Sequence, residues 1–259
     1  MISEKIKTPW SSIGYAVYKR TYSRRLNEED PDSPTEEFPD TIARVLDACE
    51  TQLKVGYTPE ERAQLEEAML LLRASFAGRF LWQLGTRTVD RLGLPSTQNC
   101  SFTKIDNPVD SFAWAMDFLM LGSGVGYSVQ RQNNVEEIPP VQEGFKTPTR
   151  IDSADADFVV PDTREGWVSL LSRTLKAAFL AKSPRKRTFT YSTQLIRSKG
   201  APIKGFGGVA SGPEDLVWGI EQIGKILEAR RGQKITSVDA LDIMNIIGAI
   251  VVSGNVKKI

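Results

Sequence analysis

The second part of the chain alternates short extended segments with amphipathic helices, and this alternation constrains the fold more than any other feature. The pattern of polar and apolar residues predicts strands over residues 99–104, 127–130 and 188–196. Helix-start signals lie between and after these segments, near Pro108, Asp162, Pro213 and Ser237. Strands that alternate with helices favour an α/β architecture, so we expect an α/β domain over residues 91–259.

The last predicted helix carries a broad apolar face that is suited to lying on a sheet. This face is formed by Val238, Leu241, Met244, Ile247 and Ile250.

Residues 1–90 are expected to form a separate, mainly helical region. Apolar residues recur at helical spacing over residues 41–54, and Cys49 lies on that apolar stripe, so this cysteine is expected in the core. Thr58 followed by Pro59 and two glutamates is a helix start, and the helix is predicted to continue towards Phe76.

The titratable composition excludes several kinds of chemistry. The chain has 33 Lys and Arg against 32 Asp and Glu, so no excess of one charge indicates nucleic acid or a membrane surface as a partner. It contains no histidine, which removes the usual general base and the usual zinc ligand. Cys49 and Cys100 are too few for a disulfide framework or a cysteine-rich metal site. Thiol redox or radical chemistry remains compatible with this composition. No metal-binding residue is predicted.

The first residues lack an apolar core of signal-peptide length, and no uninterrupted apolar run is long enough to cross a bilayer. We therefore expect a cytoplasmic protein, a compartment in which thiols stay reduced.

A thiol flanked by small polar side chains is the main candidate for chemistry. Cys100 lies between Asn99 and Ser101, and the helix that follows ends at alternating glycines, among them Gly122 and Gly124. Two interpretations are open at this point. Cys100 is presented to a ligand over a glycine-lined surface, or it is a small buried hydrophobic residue, as lone cysteines in intracellular proteins usually are.

Two polar loops are candidates for binding phosphate. The first, Asp162-Thr163-Arg164, places a helix N-terminus beside a guanidinium, which suits an anion; alternatively Asp162 only caps the helix. The second runs over residues 197–208, is rich in glycine, and carries Arg197, Lys199 and Lys204.

Six short motifs in this order resemble the N-terminal half of the adenosylcobalamin-dependent (class II) ribonucleotide reductases of the monomeric or phage-like type. They occupy residues 14–24, 78–86, 99–102, 162–167, 204–213 and 253–256. The resemblance implies a helical N-terminal region followed by the first half of a ten-stranded α/β barrel, with nucleotide-binding loops. It also implies adenosylcobalamin as cofactor and a ribonucleotide as substrate.

The resemblance assigns roles to particular residues. Cys100 matches the first of a pair of cysteines that reduce the substrate, while Asn99, Ser101, Gly122 and Gly124 are expected beside the substrate. The two polar loops look like those that bind a deoxynucleotide effector, which gives Asp162, Thr163, Arg164, Arg197, Lys199 and Lys204 as candidate effector-binding residues.

Several parts of that family's machinery have no counterpart in this sequence. The radical cysteine, the partner of Cys100 and the cysteines that accept electrons from a thioredoxin-like reductant would lie beyond Ile259. We therefore expect the C-terminal half to be supplied by a second polypeptide. The alternatives are a non-catalytic deoxynucleotide-binding module and an inactive fragment.

Overall fold

The computed structural model describes residues 7–30, 32–132, 134–201 and 209–253. The chain forms two compact units, Met1–Gln98 and Asn99–Ile259. The division lies beyond the predicted boundary at residue 90, since the helix Arg87–Leu92 and the 3-10 turn Leu94–Thr97 pack with the first unit. The thiol-bearing segment therefore begins the second unit.

The first unit is helical in all its regular elements that the structure describes. Its helices are α1 (Ser12–Thr21), α2 (Phe38–Thr51), α3 (Pro59–Leu70), α4 (Gly78–Gln83) and α5 (Arg87–Leu92). Its core forms around α2, whose Ile42, Val45 and Leu46 are fully buried. Cys49 is also buried here, which confirms its expected place in the core.

The helix α3 ends earlier than predicted. The helix starts where predicted, with a capping box between Thr58 and Glu61, but it stops at Leu70 and does not approach Phe76. Leu72 adopts a left-handed backbone with φ of 56°, and the amide of Arg73 donates to the carbonyl of Ala68. A helix closed in this way cannot continue.

The second unit is α/β, as predicted. Its elements are β1 (Cys100–Lys104), α6 (Asp110–Met120), β2 (Gly124–Ser128), β3 (Thr149–Arg150), β4 (Phe158–Val159), α7 (Arg164–Phe179), β5 (Thr190–Ser192), α8 (Glu214–Ala229) and α9 (Ser237–Ser253). The strands form two parallel sheets, one pairing β1 with β2 and one in the order β3-β5-β4. The main core lies between these strands and helices α6 to α9.

Two strands differ from their predicted limits. β2 begins at Gly124 instead of residue 127, so the glycines after Gly122 belong to the strand and not to the end of the helix. β5 covers only Thr190–Ser192 within the predicted residues 188–196. It ends there because the amide of Thr193 donates to the carboxylate of Asp152 at 2.7 Å instead of continuing the sheet.

The predicted apolar face of α9 is only partly confirmed. Val238 and Leu241 are exposed, whereas Met244, Ile247 and Ile250 are buried as expected. The helix packs chiefly against α8 and α6 rather than on a sheet. In the described ranges, none of the helices combines the length and apolar character needed to cross a membrane.

Candidate functional site

Cys100 is the first residue of β1 and is exposed. The strand is held at this point by the amide of Gly124, which donates to the carbonyl of Asn99 at 2.8 Å. The parallel register pairs Cys100 with Gly124 and Phe102 with Gly126. The buried-cysteine interpretation of Cys100 is therefore wrong, whereas it holds for Cys49.

One face of this two-stranded sheet is open beside the thiol. Side chains alternate along a strand, so Cys100 and Phe102 share a face, and Phe102 is 64% exposed. A Cβ added at Gly124 would meet only the Asn99 carbonyl, at 3.6 Å, and one added at Gly126 would lie 3.3 Å from the Phe102 ring. The two glycines leave the backbone accessible, and a flat or bulky ligand can approach the sulfur closely. We call this surface, formed by Cys100, Phe102, Gly124 and Gly126, the thiol face.

The remaining predicted substrate residues lie around the thiol face in different ways. Asn99 is exposed immediately before the strand. Ser101 belongs to the opposite face of β1, where its hydroxyl lies 3.1 Å from the hydroxyl of Ser123, which is 3% exposed. Gly122 has φ of 82° and ends α6. Asn99 and Gly124 therefore lie next to the thiol. Ser101 and Gly122 instead contact other parts of the protein, Ser101 through Ser123 and Gly122 at the end of α6.

Sequence reasoning missed Ser123, because a buried serine has no distinctive spacing. The parallel register of β1 and β2 reveals it, since it precedes Gly124 and reaches under Ser101. The contact satisfies the buried hydroxyl of Ser123.

In the first predicted effector loop, the alternative that Asp162 caps α7 is wrong. Thr163 is the N-cap, with its hydroxyl accepting a hydrogen bond from the amide of Gly166 at 3.0 Å. Asp162 instead forms an ion pair with Arg197, with Oδ2 and Nε 2.6 Å apart. This pair joins the two predicted loops, which are separated by more than thirty residues in sequence.

Arg164 is anchored to a different helix. Its guanidinium forms an ion pair with Asp117 of α6 and another with the neighbouring Glu165. Burial raises the pKa of Asp117 in spite of the attraction of Arg164. An anion at this helix start would compete with Asp117 for the guanidinium.

The second predicted loop is described only at its ends. Lys199 is exposed, and the chain beside it closes on itself through hydrogen bonds of Gly200 to Ala210 and of Ala210 to Ala201, at 2.8 and 2.7 Å. Lys204 lies outside the described residues. Arg197 and Lys199 thus lie on one short segment whose start is tied to the first loop.

The residues that the structure describes do not by themselves form a cobalt site. The chain has no histidine, and no group of three or more Cys, Asp or Glu in the described ranges is placed to hold a metal ion. The exposed Cys100 is the one thiol on the open face of β1, and the resemblance assigns it to reduction.

The second unit thus presents an exposed thiol at the start of a parallel strand, backed by glycines, and the neighbouring α6 contacts the first of the two polar loops through Asp117. Two family models match parts of the chain. The model described as the ribonucleotide reductase alpha domain matches residues 1–86, and the one described as the insertion domain of B12-dependent ribonucleotide reductase matches residues 140–227.

Known proteins match over almost the whole chain. The adenosylcobalamin-dependent ribonucleoside-triphosphate reductase of Lactobacillus helveticus is 33% identical over 99% of this chain and 42% of its own length. The protein of the same name from Levilactobacillus brevis is 34% identical over 99% of this chain and 41% of its length. A crystal structure of a B12-dependent (class II) ribonucleotide reductase matches with a TM-score of 0.77 and 30% identity, over 98% of this chain and 42% of that one.

The chain belongs to the adenosylcobalamin-dependent, class II ribonucleotide reductase family and corresponds to the N-terminal half of its members. It spans about two-fifths of the length of the curated relatives that it matches. Both predicted effector loops and the three-stranded sheet fall within the residues of the insertion-domain match.

Proposed function

We propose that this chain supplies the substrate-reducing thiol and the effector-binding loops of a ribonucleotide reductase. The reaction converts a ribonucleotide and two thiols into a deoxyribonucleotide, water and a disulfide. In this proposal Cys100 is one of the two thiols, and the second thiol and the radical-forming cysteine come from the remaining part of the reductase fold. Nucleoside triphosphates are the expected substrates, because the relatives are named as ribonucleoside-triphosphate reductases.

The observation that carries the proposal is the exposure of Cys100 on the thiol face. A thiol serves the reaction because it gives up a proton and an electron and then closes a disulfide, which a hydroxyl or a carboxylate cannot do. The glycines opposite the thiol allow the ribose to come within reaction distance of the sulfur. The hydrogen bond from the amide of Gly124 to the carbonyl of Asn99 fixes the backbone on which the sulfur is held.

The remaining part of the enzyme is expected to complete this surface. An exposed aromatic ring, Phe102, and an exposed sulfur on one strand face are features of a surface that another part of a protein covers. Adenosylcobalamin is the expected cofactor because the relatives depend on it. Its chemistry when bound is to start the radical reaction.

We further propose that the two polar loops bind the deoxynucleotide effector. The ion pair between Asp162 Oδ2 and Arg197 Nε, which are 2.6 Å apart, joins the two loops. A phosphate that binds beside this pair would contact both loops. Guanidinium groups and the free amides at the start of α7 are suitable partners for phosphate oxygens.

The test is reduction of a ribonucleoside triphosphate by this chain, mixed with the remaining part of a class II reductase, adenosylcobalamin and a dithiol. Cys100→Ser is expected to abolish deoxynucleotide formation while leaving deoxynucleotide binding unchanged. Cys49→Ala, which removes the other thiol from the core of the first unit, is the matched control and should retain activity.

Two results would contradict the proposal. One is full activity of Cys100→Ser. The other is the absence of activity with every supplied C-terminal part, together with normal binding of deoxynucleotide, which would favour a non-catalytic binding module.

A further inference from the structure

The helical unit contains a cavity that the proposed function does not use. Its volume is about 620 Å³, and it is lined by the loop that follows α1, one side of α2 and the start of α5. The basic residues of its wall are Arg24, Arg25, Arg44 and Arg87.

Two of these arginines are neutralised by carboxylates of the same wall. Arg44 forms an ion pair with Glu36, with Nε and Oε1 2.6 Å apart, and Arg87 pairs with Glu29. Among the residues that the structure describes, Arg24 and Arg25 have no carboxylate within ion-pair distance. Among the described residues, the cavity therefore contains two adjacent guanidinium groups that form no ion pair.

Arg24 is held rigidly in the wall. Its Nε donates to the carbonyl of Trp82 at 2.6 Å, and its guanidinium carbon lies 4.8 Å from the centre of the Trp82 ring. Within the described part of the chain, neither terminal nitrogen of Arg24 has a hydrogen-bond acceptor. Arg25 is exposed beside it and donates to the carbonyl of Asp30 at 3.2 Å.

The guanidinium of Arg24 is available to an anion, although the cavity wall also carries the carboxylates of Glu28, Glu29, Glu36, Asp40, Asp47 and Asp90. Burial and the nearby charge of Arg44 lower the pKa of Arg24 to about 10, although Glu28 and Glu36 act in the opposite direction. The group remains protonated at neutral pH and is partly desolvated. An oxyanion against its terminal nitrogens would restore hydrogen bonds and charge balance together.

We propose that this cavity binds a phosphate group between Arg24 and Arg25. A guanidinium whose terminal nitrogens are both available can bind two oxygens of one phosphate in parallel. The volume is several times that of phosphate alone, so the group can be free phosphate or part of a phosphorylated small molecule. Asp40 and Asp90 also line the cavity, and their carboxylates can accept hydrogen bonds from hydroxyl or amino groups such as those of a nucleoside.

The test is calorimetric titration of the full chain with inorganic phosphate and, separately, with adenosine monophosphate. Arg24→Met removes the guanidinium and keeps an apolar contact with Trp82, and we expect it to weaken binding of either probe at least tenfold. Arg20→Met, an exposed arginine of α1 outside the cavity, is the matched control and should bind like the unaltered chain. Bound probe should also slow amide exchange in peptides that contain Arg24.

The two probes distinguish the source of the phosphate. Equal affinity for both indicates free phosphate, and tighter binding of the nucleotide indicates a phosphorylated compound. If Arg24→Met does not fold, Arg25→Met replaces an exposed side chain and should still weaken binding at least threefold. The proposal is overturned if neither probe binds at millimolar concentration, or if the affinity is unchanged in the folded Arg24 or Arg25 variant. These outcomes are independent of the reductase assay, because the site shares no residue with the thiol face.

Discussion

Removing the buried charge of Glu36 should destabilise the helical unit strongly. Glu36 is 4% exposed and accepts hydrogen bonds from Arg44 Nε and Nη2, at 2.6 and 3.0 Å. It also accepts one from the Thr41 hydroxyl at 2.7 Å and one from the Arg24 amide at 3.1 Å. The substitution Glu36→Gln keeps the shape of this side chain and removes its charge.

The expected loss of unfolding free energy depends on the hydrogen bonds that Arg44 keeps in the variant. Breaking a buried ion pair by altering one partner costs about 3–5 kcal/mol, since the other charge stays buried without its partner. Arg44 also donates to the carbonyls of Leu81 and Leu84, which continue to stabilise its charge in the variant. We therefore expect a cost of about 3 kcal/mol, at the lower end of that range.

The assay must report on one unit at a time, because a chain of two compact units need not unfold in one step. Amide hydrogen exchange read by mass spectrometry meets this need, with peptides from α2 reporting on the first unit and peptides from α8 on the second. A loss of about 3 kcal/mol corresponds to exchange roughly a hundredfold faster in α2, and exchange in α8 should not change.

The matched control is Glu29→Gln, which alters the exposed ion pair with Arg87. Both of those side chains are largely solvent-exposed, so α2 exchange should be almost unaffected. The double variant Glu36→Gln with Arg44→Gln should recover part of the loss, because no unpaired charge remains. The reasoning is refuted if Glu36→Gln and Glu29→Gln change α2 exchange equally, or if the double variant loses the sum of the two single effects.

The other predictions concern the second unit. A Cβ at Gly219 of α8 would lie 2.2 Å from Ile250 Cδ1, whereas one at Gly248 of α9 would have no heavy atom within 4 Å. Gly219→Ala should therefore destabilise the unit by about 1–3 kcal/mol, and Gly248→Ala should stabilise it by roughly 0.5–1 kcal/mol; thermal unfolding of both variants checks the opposite signs. Burial opposes ionisation of Asp152, but hydrogen bonds from Thr193 outweigh it and lower its pKa. Its stabilising effect is thus present above its unfolded pKa of about 4 and is lost as the pH falls through the lower folded value. Asp152→Asn should be less stable than the unaltered chain at pH 7 and should lose less stability on acidification, and equal losses in the two proteins would contradict this role.

Local patterns predicted the elements whose neighbours are close in sequence. The helical spacing around Cys49 placed it in a core, and the strand predicted over residues 99–104 contains the observed β1. Both inferences need only the geometry of a single helix or strand. The start of α6 after Pro108 and the start of α8 at Glu214 are predictable for the same reason.

The predictions that were wrong concern features that depend on contacts between residues distant in sequence. Asp162 and Thr163 are both competent caps, and the choice between them is decided by Arg197, which binds Asp162. The exposure of Val238 and Leu241 could not be foreseen either, because it depends on which residues of α9 face α8 and α6 in the fold. In the candidate site, Ser123 was missed because its importance comes only from the register of two strands.

A single short helix connects the two predicted sites. Asp117, which binds Arg164 at the start of α7, lies on α6 one turn before Leu121, and the chain then passes directly into β2 beside Cys100. At 1.5 Å per residue, the eleven residues of α6 measure about 16 Å. After Met120 the chain passes through residues 121–123 before it reaches Gly124, which lies opposite Cys100. The candidate effector loop at Arg164 and the thiol face are thus separated by about one turn of α6 and the linking residues 121–123.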